Sequence, residues 1–284
     1  MDLYVHPALP STIAARHFSR SRYPNGCSGS WSYIRQMEIS MTLSCHPGSY
    51  VETRHRIGRI AFALTVSVLF LLAPVCLFAQ EKSIPEEIEW TWEVRPTHAN
   101  PSLPNVLLLG DSITRNYFPE VTKDLDGIAN VYLMAASTSV GDPRLTRQIA
   151  EFVAMEGVHF RVVHFNNGMH GWGYTEKQYQ AAFPSYLRAV EHLVASNGDL
   201  IWATITPVRA DATSGATNPR VEARNVIAAS LVQPAGIAVD DQHALMMKHE
   251  DLHQDPVHFN PKGSNLEGDQ AAQLIKAELS KESK

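Results

Sequence analysis

"NVLLLGDSITRNY", residues 105–117, sets four consecutive apolar side chains, Val106–Leu109, against a sudden polar stop at Gly110-Asp111-Ser112. A short apolar run bounded by glycine is the pattern of a strand buried on both faces, as in a parallel sheet. The serine just past its end is either part of an ordinary polar turn or a nucleophile delivered by the strand. The rest of the chain has to decide between the two.

Downstream, strand and helix patterns alternate. Asn105–Leu109, Asn130–Met134, Arg161–Phe165, Leu200–Ile205 and Gly236–Val239 read as strands. Helices are expected at Pro119–Leu125, Pro143–Glu156, Thr175–Asn197, Asn218–Val232 and Asn260–Leu279. Thr175 and Gln178 have capping-box spacing, and Asn218-Pro219 and Asn260-Pro261 are helix starts. Such alternation implies an α/β fold, with a central five-stranded parallel sheet covered on both faces. In open sheets of this kind ligands sit beyond the carboxyl ends of the strands. Ser112 follows the first strand. Asn166-Asn167-Gly168-Met169-His170 follows the third. Asp255 and His258 follow the fifth, just before the last helix.

Upstream the chain changes character. Residues 60–79, IAFALTVSVLFLLAPVCLFA, carry no charge and come after Arg54, Arg56 and Arg59. Residues 51–79 therefore read as a secretory signal peptide, with cleavage after Ala79; Pro74 and the small Ala79 favour this over an uncleaved membrane anchor. Residues 1–50 are expected to be disordered or to reflect a mis-assigned start, with Met37 and Met41 as alternative starts. Residues 80–104 read as an extended lead-in, since Pro85, Pro96, Pro101 and Pro104 break any helix. On an extended segment Trp90 and Trp92 share a face, either packing the lead-in onto the domain or forming an aromatic wall for sugars.

Composition excludes several classes. Cys27, Cys45 and Cys76 all precede residue 80, so the remainder has no thiol for a disulfide, a nucleophile or a metal. Of 24 Lys+Arg and 29 Asp+Glu, 7 and 3 precede residue 80, leaving 17 basic against 26 acidic side chains. That balance argues against nucleic acid and anionic membrane surfaces as partners. His243, His249 and His253 with Asp251 lack firm ligand spacing, so no metal is expected. Arg209, Arg220 and Arg224 could bind an anionic substrate group or form ion pairs. His164 alternates within the third strand and reads as a core histidine.

A serine nucleophile needs a base, and the base needs an orienting carboxylate. "DPVHFN" offers both, with Asp255 three residues before His258. Taken with Gly110-Asp111-Ser112-Ile113, this resembles the first and last blocks of the SGNH (GDSL-type) hydrolases over residues 105 to about 278. The resemblance implies a flavodoxin-like three-layer α/β/α fold in strand order 2-1-3-4-5. It also implies ester hydrolysis through an acyl-serine on Ser112, with His258 as base, Asp255 as its orienter and no cofactor. The middle blocks depart from the family. The second-block glycine, an oxyanion donor, falls near Ala136 or Ser137, or is shifted to Gly141. The third block, normally G-x-N-D, reads Gly168-Met169-His170-Gly171, like a divergent branch with N-x-G-x-H. His170 is the first candidate for the missing oxyanion or substrate donor and Asn167 the second.

These observations lead us to expect an exported serine esterase, in the periplasm or outside the cell, or membrane-anchored if the leader stays on. Its partner would be a small-molecule or carbohydrate ester, and the family resemblance puts O-acetyl groups on carbohydrate first. A lipid or lysophospholipid esterase and a non-catalytic carbohydrate-binding protein on the same fold are the alternatives.

Overall fold

The structure, a computed structural model, describes residues 82–281. The leader, the N-terminal segment and the three cysteines discussed above lie outside the described residues. Among the described residues no helix is long and apolar enough to cross a membrane.

The apolar run becomes strand β2 (Asn105–Gly110), which lies inside the sheet with β3 (Asn130–Ala136) on one side and β4 (Phe160–Phe165) on the other. β5 (Val194–Ala203) and β6 (Ala238–Asp240) continue the sheet in parallel. These five strands stand in the order 2-1-3-4-5 that the family resemblance implies. The sheet has a sixth strand, however. The lead-in supplies β1 (Thr91–Val94), which pairs antiparallel with β3 at the edge. The count of five therefore needs correction. TWEV is too short and too exposed to show an apolar pattern, and its pairing with β3 is what makes it a strand.

Side-chain alternation along β2 builds two cores. Val106 and Leu108 face one side, packing with Tyr117 and Val121 of α1 (Ser112–Asp124) and Ala271, Ala272 and Ile275 of α6 (Pro261–Leu279). Leu107 and Leu109 face the other. There they meet Ile149 and Phe152 of α2 (Arg144–Glu156) and Phe183 and Val190 of α3 (Glu176–Glu191), with Ala228 of α4 (Asn218–Val232) in the same cluster. A short helix α5 (Gln242–Met246) follows β6. Each buried Leu or Phe stabilises the fold by about 1.5–3 kcal/mol. Gly268 lets α6 close on α1, because a Cβ there would come within 2.7 Å of Glu120 Cβ and 3.0 Å of the Tyr117 carbonyl oxygen.

Three boundaries differ from expectation, each for a local reason. α1 starts at Ser112 rather than Pro119. Asp111 caps it by accepting the Ile113 N–H at 2.9 Å, and burial of Ile113, Tyr117 and Val121 outweighs the cost of a proline inside the helix. α3 has the expected capping box at Thr175 and Gln178 but ends at Glu191, not Asn197. β5 begins early: Val194 pairs with Phe160, the ladder breaks, and it resumes with Val162 opposite Asp199. Gly198 sits in that break, where an added Cβ would meet the Val194 side chain at 2.8 Å.

Candidate active site

Ser112 is placed by a tight strand-to-helix turn. Gly110 closes it, since a Cβ there would lie 2.1 Å from Thr114 Oγ1. Asp111 caps, and Ser112 becomes the first residue of α1, largely buried with its Oγ 2.7 Å from His258 Nε2. The helix N-terminus favours negative charge at that oxygen.

His258 comes from the loop before α6. Its Nδ1 lies 2.8 Å from Asp255 Oδ2. The other oxygen, Asp255 Oδ1, accepts the Val257 N–H at 2.8 Å and the His258 N–H at 2.7 Å. The carboxylate is thus fixed by the backbone of the residue it orients. Burial pushes the Asp255 carboxyl up, but these two N–H groups and the imidazole prevail and hold it below the usual carboxylate range. Because a carboxylate only accepts, Nδ1 carries the proton and Nε2 turns its lone pair toward Ser112. The structure so brings Ser112, His258 and Asp255 into one hydrogen-bonded chain, across 146 residues of sequence.

A second histidine–carboxylate pair has no trace in local sequence. His170, in the loop after β4, sets Nδ1 2.8 Å from Oε2 of Glu86, a lead-in residue. Glu86 Oε1 accepts the Gly171 N–H, also at 2.8 Å. Trp90 packs edge-on against the imidazole at 5.9 Å between ring centres. His170 Nε2 is buried and has no partner among the described residues. Burial opposes the imidazolium, yet the bond to Glu86 and the nearby Asp111 and Glu89 carboxylates raise His170 above the ordinary histidine value. Burial likewise pushes Glu86 up, but His170, the Gly171 N–H and the Arg224 charge leave it lowered.

Arg224 moulds the loop that carries His170. This wholly buried guanidinium donates Nη1–H to the carbonyls of Gly168 and His170, both at 2.8 Å, and Nη2–H to Gly171 at 2.9 Å. It also lies over the Trp172 ring at 3.9 Å. Burial lowers it to about 10, so it stays charged at neutral pH. Arg224 is therefore spent on backbone rather than on a substrate anion. Arg220 binds Glu176 at 2.7 Å, and Arg209 pairs with Asp211 on the surface. His164 is a core residue, its Nε2 2.7 Å from Asp240 Oδ2, with both side chains fully buried.

The remaining candidates are placed differently. Asn167 is buried and uses both ends of its amide, donating to the Thr138 carbonyl at 3.0 Å and accepting the Val140 N–H at 3.1 Å. It clamps the loop after β3 and has no amide hydrogen bond directed at Ser112. Ala136 ends β3 opposite Thr91 of the lead-in, and the next N–H, of Ser137, donates to the Trp90 carbonyl. Gly141 packs on the Tyr174 ring, in a hollow shared with Leu145, Ala182 and Tyr186 of α2 and α3.

The lead-in is stitched to this end of the sheet throughout. Ser83 bonds Asp142, the Ile84 N–H donates to the Tyr174 hydroxyl at 2.6 Å, and Glu89 binds both Ser137 and Arg144. A cleft of 600 Å³ opens beside it, lined by Ile84, Glu86, Ile88, Trp90, Gly171 and Trp172. Arg115, one turn along α1 from Ser112, lies over both Trp90 and Trp92, 5.2 and 5.3 Å from the ring centres. Sequence reasoning missed Glu86 entirely; a lone acid among Glu86, Glu87 and Glu89 carries no marker.

No protein-family model matches the sequence, and no curated protein matches it. Solved structures do. A Bacteroides fragilis protein provisionally named an acylhydrolase superposes with a TM-score of 0.50 at 14% identity, over 64% of this chain and 90% of its own. A member of the lipolytic G-D-S-L family from Veillonella parvula gives 0.49 at 18% identity, over 61% and 98%. A carbohydrate esterase of family 3 from Talaromyces cellulolyticus gives 0.49 at 18% identity, over 63% and 100%. The strand order and the helices on both faces of the sheet are those of the flavodoxin-like SGNH-hydrolase fold.

Proposed function

We propose that the protein is a serine esterase that hydrolyses carboxylic esters through an acyl-serine intermediate. The observation that carries this is the hydrogen-bonded chain Ser112 Oγ, His258 Nε2, His258 Nδ1, Asp255 Oδ2, at 2.7 and 2.8 Å. Ser112 Oγ attacks the ester carbonyl while its proton passes to His258 Nε2. The tetrahedral intermediate collapses, and His258 returns that proton to the leaving alcohol. Water, deprotonated by His258, then releases the acid and restores Ser112. Asp255 keeps the tautomer correct and stabilises the imidazolium. The carbonyl oxygen becomes negative in between, and the Ser112 N–H and His170 are assigned as its donors. No cofactor enters this sequence.

Among esters we place O-acetyl groups on carbohydrate first. The cleft beside the lead-in is lined by Trp90 and Trp172 with Glu86, the partner of His170, and Trp92 is half exposed beside Arg115. Flat aromatic faces next to a polar rim suit a sugar ring. Export is part of the same proposal and rests on the charge-free run after Arg54, Arg56 and Arg59. A pure carbohydrate binder would have no use for a serine aligned on an oriented histidine.

The test is hydrolysis of p-nitrophenyl acetate, butyrate and octanoate by the full chain beside Ser112→Ala, with fluorophosphonate labelling of both. Activity greatest on acetate, with labelling lost in the mutant, is expected. A preference for octanoate would move the substrate to lipid esters. Absence of both turnover and labelling at Ser112 would overturn the esterase.

A further inference from the structure

We propose that Glu86, a positioning residue supplied by the lead-in, holds His170 as an imidazolium whose Nε2–H is a charged donor to the oxyanion, so that the alkaline limit of activity belongs to the Glu86–His170 pair. This rests on Ser112 being the nucleophile. The geometry runs as follows. A carboxylate oxygen can only accept, so the proton on His170 Nδ1 is committed to Glu86 at 2.8 Å. In neutral His170 the other nitrogen, Nε2, is then a bare acceptor and useless to an oxyanion. Only the doubly protonated ring presents an N–H there. That nitrogen is buried and has no partner among the described residues, which is costly unless something meets it during turnover. The loop carrying it lies at the carboxyl end of β4, beside the end of β2 that delivers Ser112.

The surroundings favour charge at this ring. Glu86 and Glu89 face it from the lead-in and Asp111 from the end of β2. Opposing them is Arg224 of α4, which holds the His170 carbonyl, with Arg115 of α1 over the Trp90 ring. The carboxylates prevail, and His170 is raised above an ordinary histidine. Trp90 packs T-shaped against the ring, with 5.9 Å between ring centres. No proton leaves His170 during turnover; the serine proton goes to His258. The two histidines thus work in opposite states, His258 neutral as base and His170 charged as donor. Activity should therefore fall on the alkaline side as His170 loses its proton.

The experiment uses the full chain as wild type, Glu86→Gln and His170→Asn, with kcat and KM for p-nitrophenyl acetate across pH, fluorophosphonate labelling of Ser112, and the imidazole titration of His170 followed by NMR. Glutamine cannot hold the imidazolium. Glu86→Gln should lower kcat by about tenfold or more, less than outright loss of an oxyanion donor, with KM little changed. It should also move both the alkaline limb and the NMR titration of His170 to lower pH. His170→Asn, an amide donor that does not titrate, should keep part of the activity and lose the alkaline limb. An alkaline limb unmoved in Glu86→Gln, or a His170 titration unchanged by it, would overturn the proposal. If Ser112 neither labels nor turns over while His170 still titrates high and depends on Glu86, the esterase fails and the charged pair stands as a binding group only. A His170 titration at or below an ordinary histidine would remove the pair itself.

Discussion

The Asp255–His258 and Glu86–His170 pairs have the same construction: Nδ1 lies 2.8 Å from one carboxylate oxygen, and the other oxygen holds a backbone N–H at or beside the histidine. They differ in sequence distance, 3 residues against 84, and in what lies beyond Nε2. The first meets a serine hydroxyl and the second meets no described group. A third pair, His164–Asp240, bonds through Nε2 and is wholly enclosed. One chemical unit is therefore set in three surroundings, which differ in which nitrogen the carboxylate takes and in what the other faces.

That contrast can be broken at several points. The largest effect should come from Ser112→Ala or His258→Ala, each lowering kcat for p-nitrophenyl acetate by about 10⁴- to 10⁶-fold, with the circular dichroism spectrum unchanged. Asp255→Asn comes next, at about 10³- to 10⁴-fold, because asparagine admits the wrong imidazole tautomer. Equal rates for Asp255→Asn and wild type would make the first pair a mere loop brace. His170→Ala should cost about 10²- to 10³-fold, the worth of one oxyanion donor. A loss as deep as that of His258→Ala would instead place His170 in proton transfer.

The third pair should respond in stability alone. Asp240→Ala leaves the buried His164 Nε2 and the Gln242 amide without their acceptor and should destabilise by about 1–3 kcal/mol in urea unfolding, with activity per folded molecule retained. The smallest effect concerns Glu267 of α6. Burial, with Asp111 and Asp240 nearby, raises this carboxyl well above the ordinary glutamate value, and neither of its oxygens has a partner among the described residues. The unfolded chain ionises first. Stability from this group is therefore complete below the ordinary glutamate value and is lost as pH rises toward the folded one. Glu267→Gln should raise Tm by about 3 °C near pH 8 and by less near pH 4. The reverse order would mean that Glu267 is charged in the folded protein.

Much of this was legible in residue order. Alternation of apolar strands with helical patterns fixes a parallel sheet, because each half-buried element must cover the next. Ser112 and the Asp255-Pro256-Val257-His258 turn are local features, each complete within a few residues of its own strand end or loop. Boundaries governed by competing local terms were less so: the Asp111 cap overrode Pro119 as the start of α1, and strand pairing at Val194 shortened α3.

What the tertiary structure alone decided lies where partners are distant in sequence. Asn167 looks like a free amide until Thr138 and Val140 occupy both its ends. Arg224 looks like an anion site until the carbonyls of Gly168, His170 and Gly171 absorb it. TWEV becomes a strand only because β3 offers it an edge, and Glu86 gains its His170 partner only because that pairing lays the lead-in across the loop after β4. Residue order by itself determined the fold class and the Asp255–His258 spacing, because those follow from periodicity and short-range spacing; that Ser112 joins them is what the family resemblance implied and the tertiary structure places at 2.7 Å. The second histidine–carboxylate pair came from folding alone, because a carboxylate and an imidazole attract over a few ångströms in space and leave no pattern along the chain.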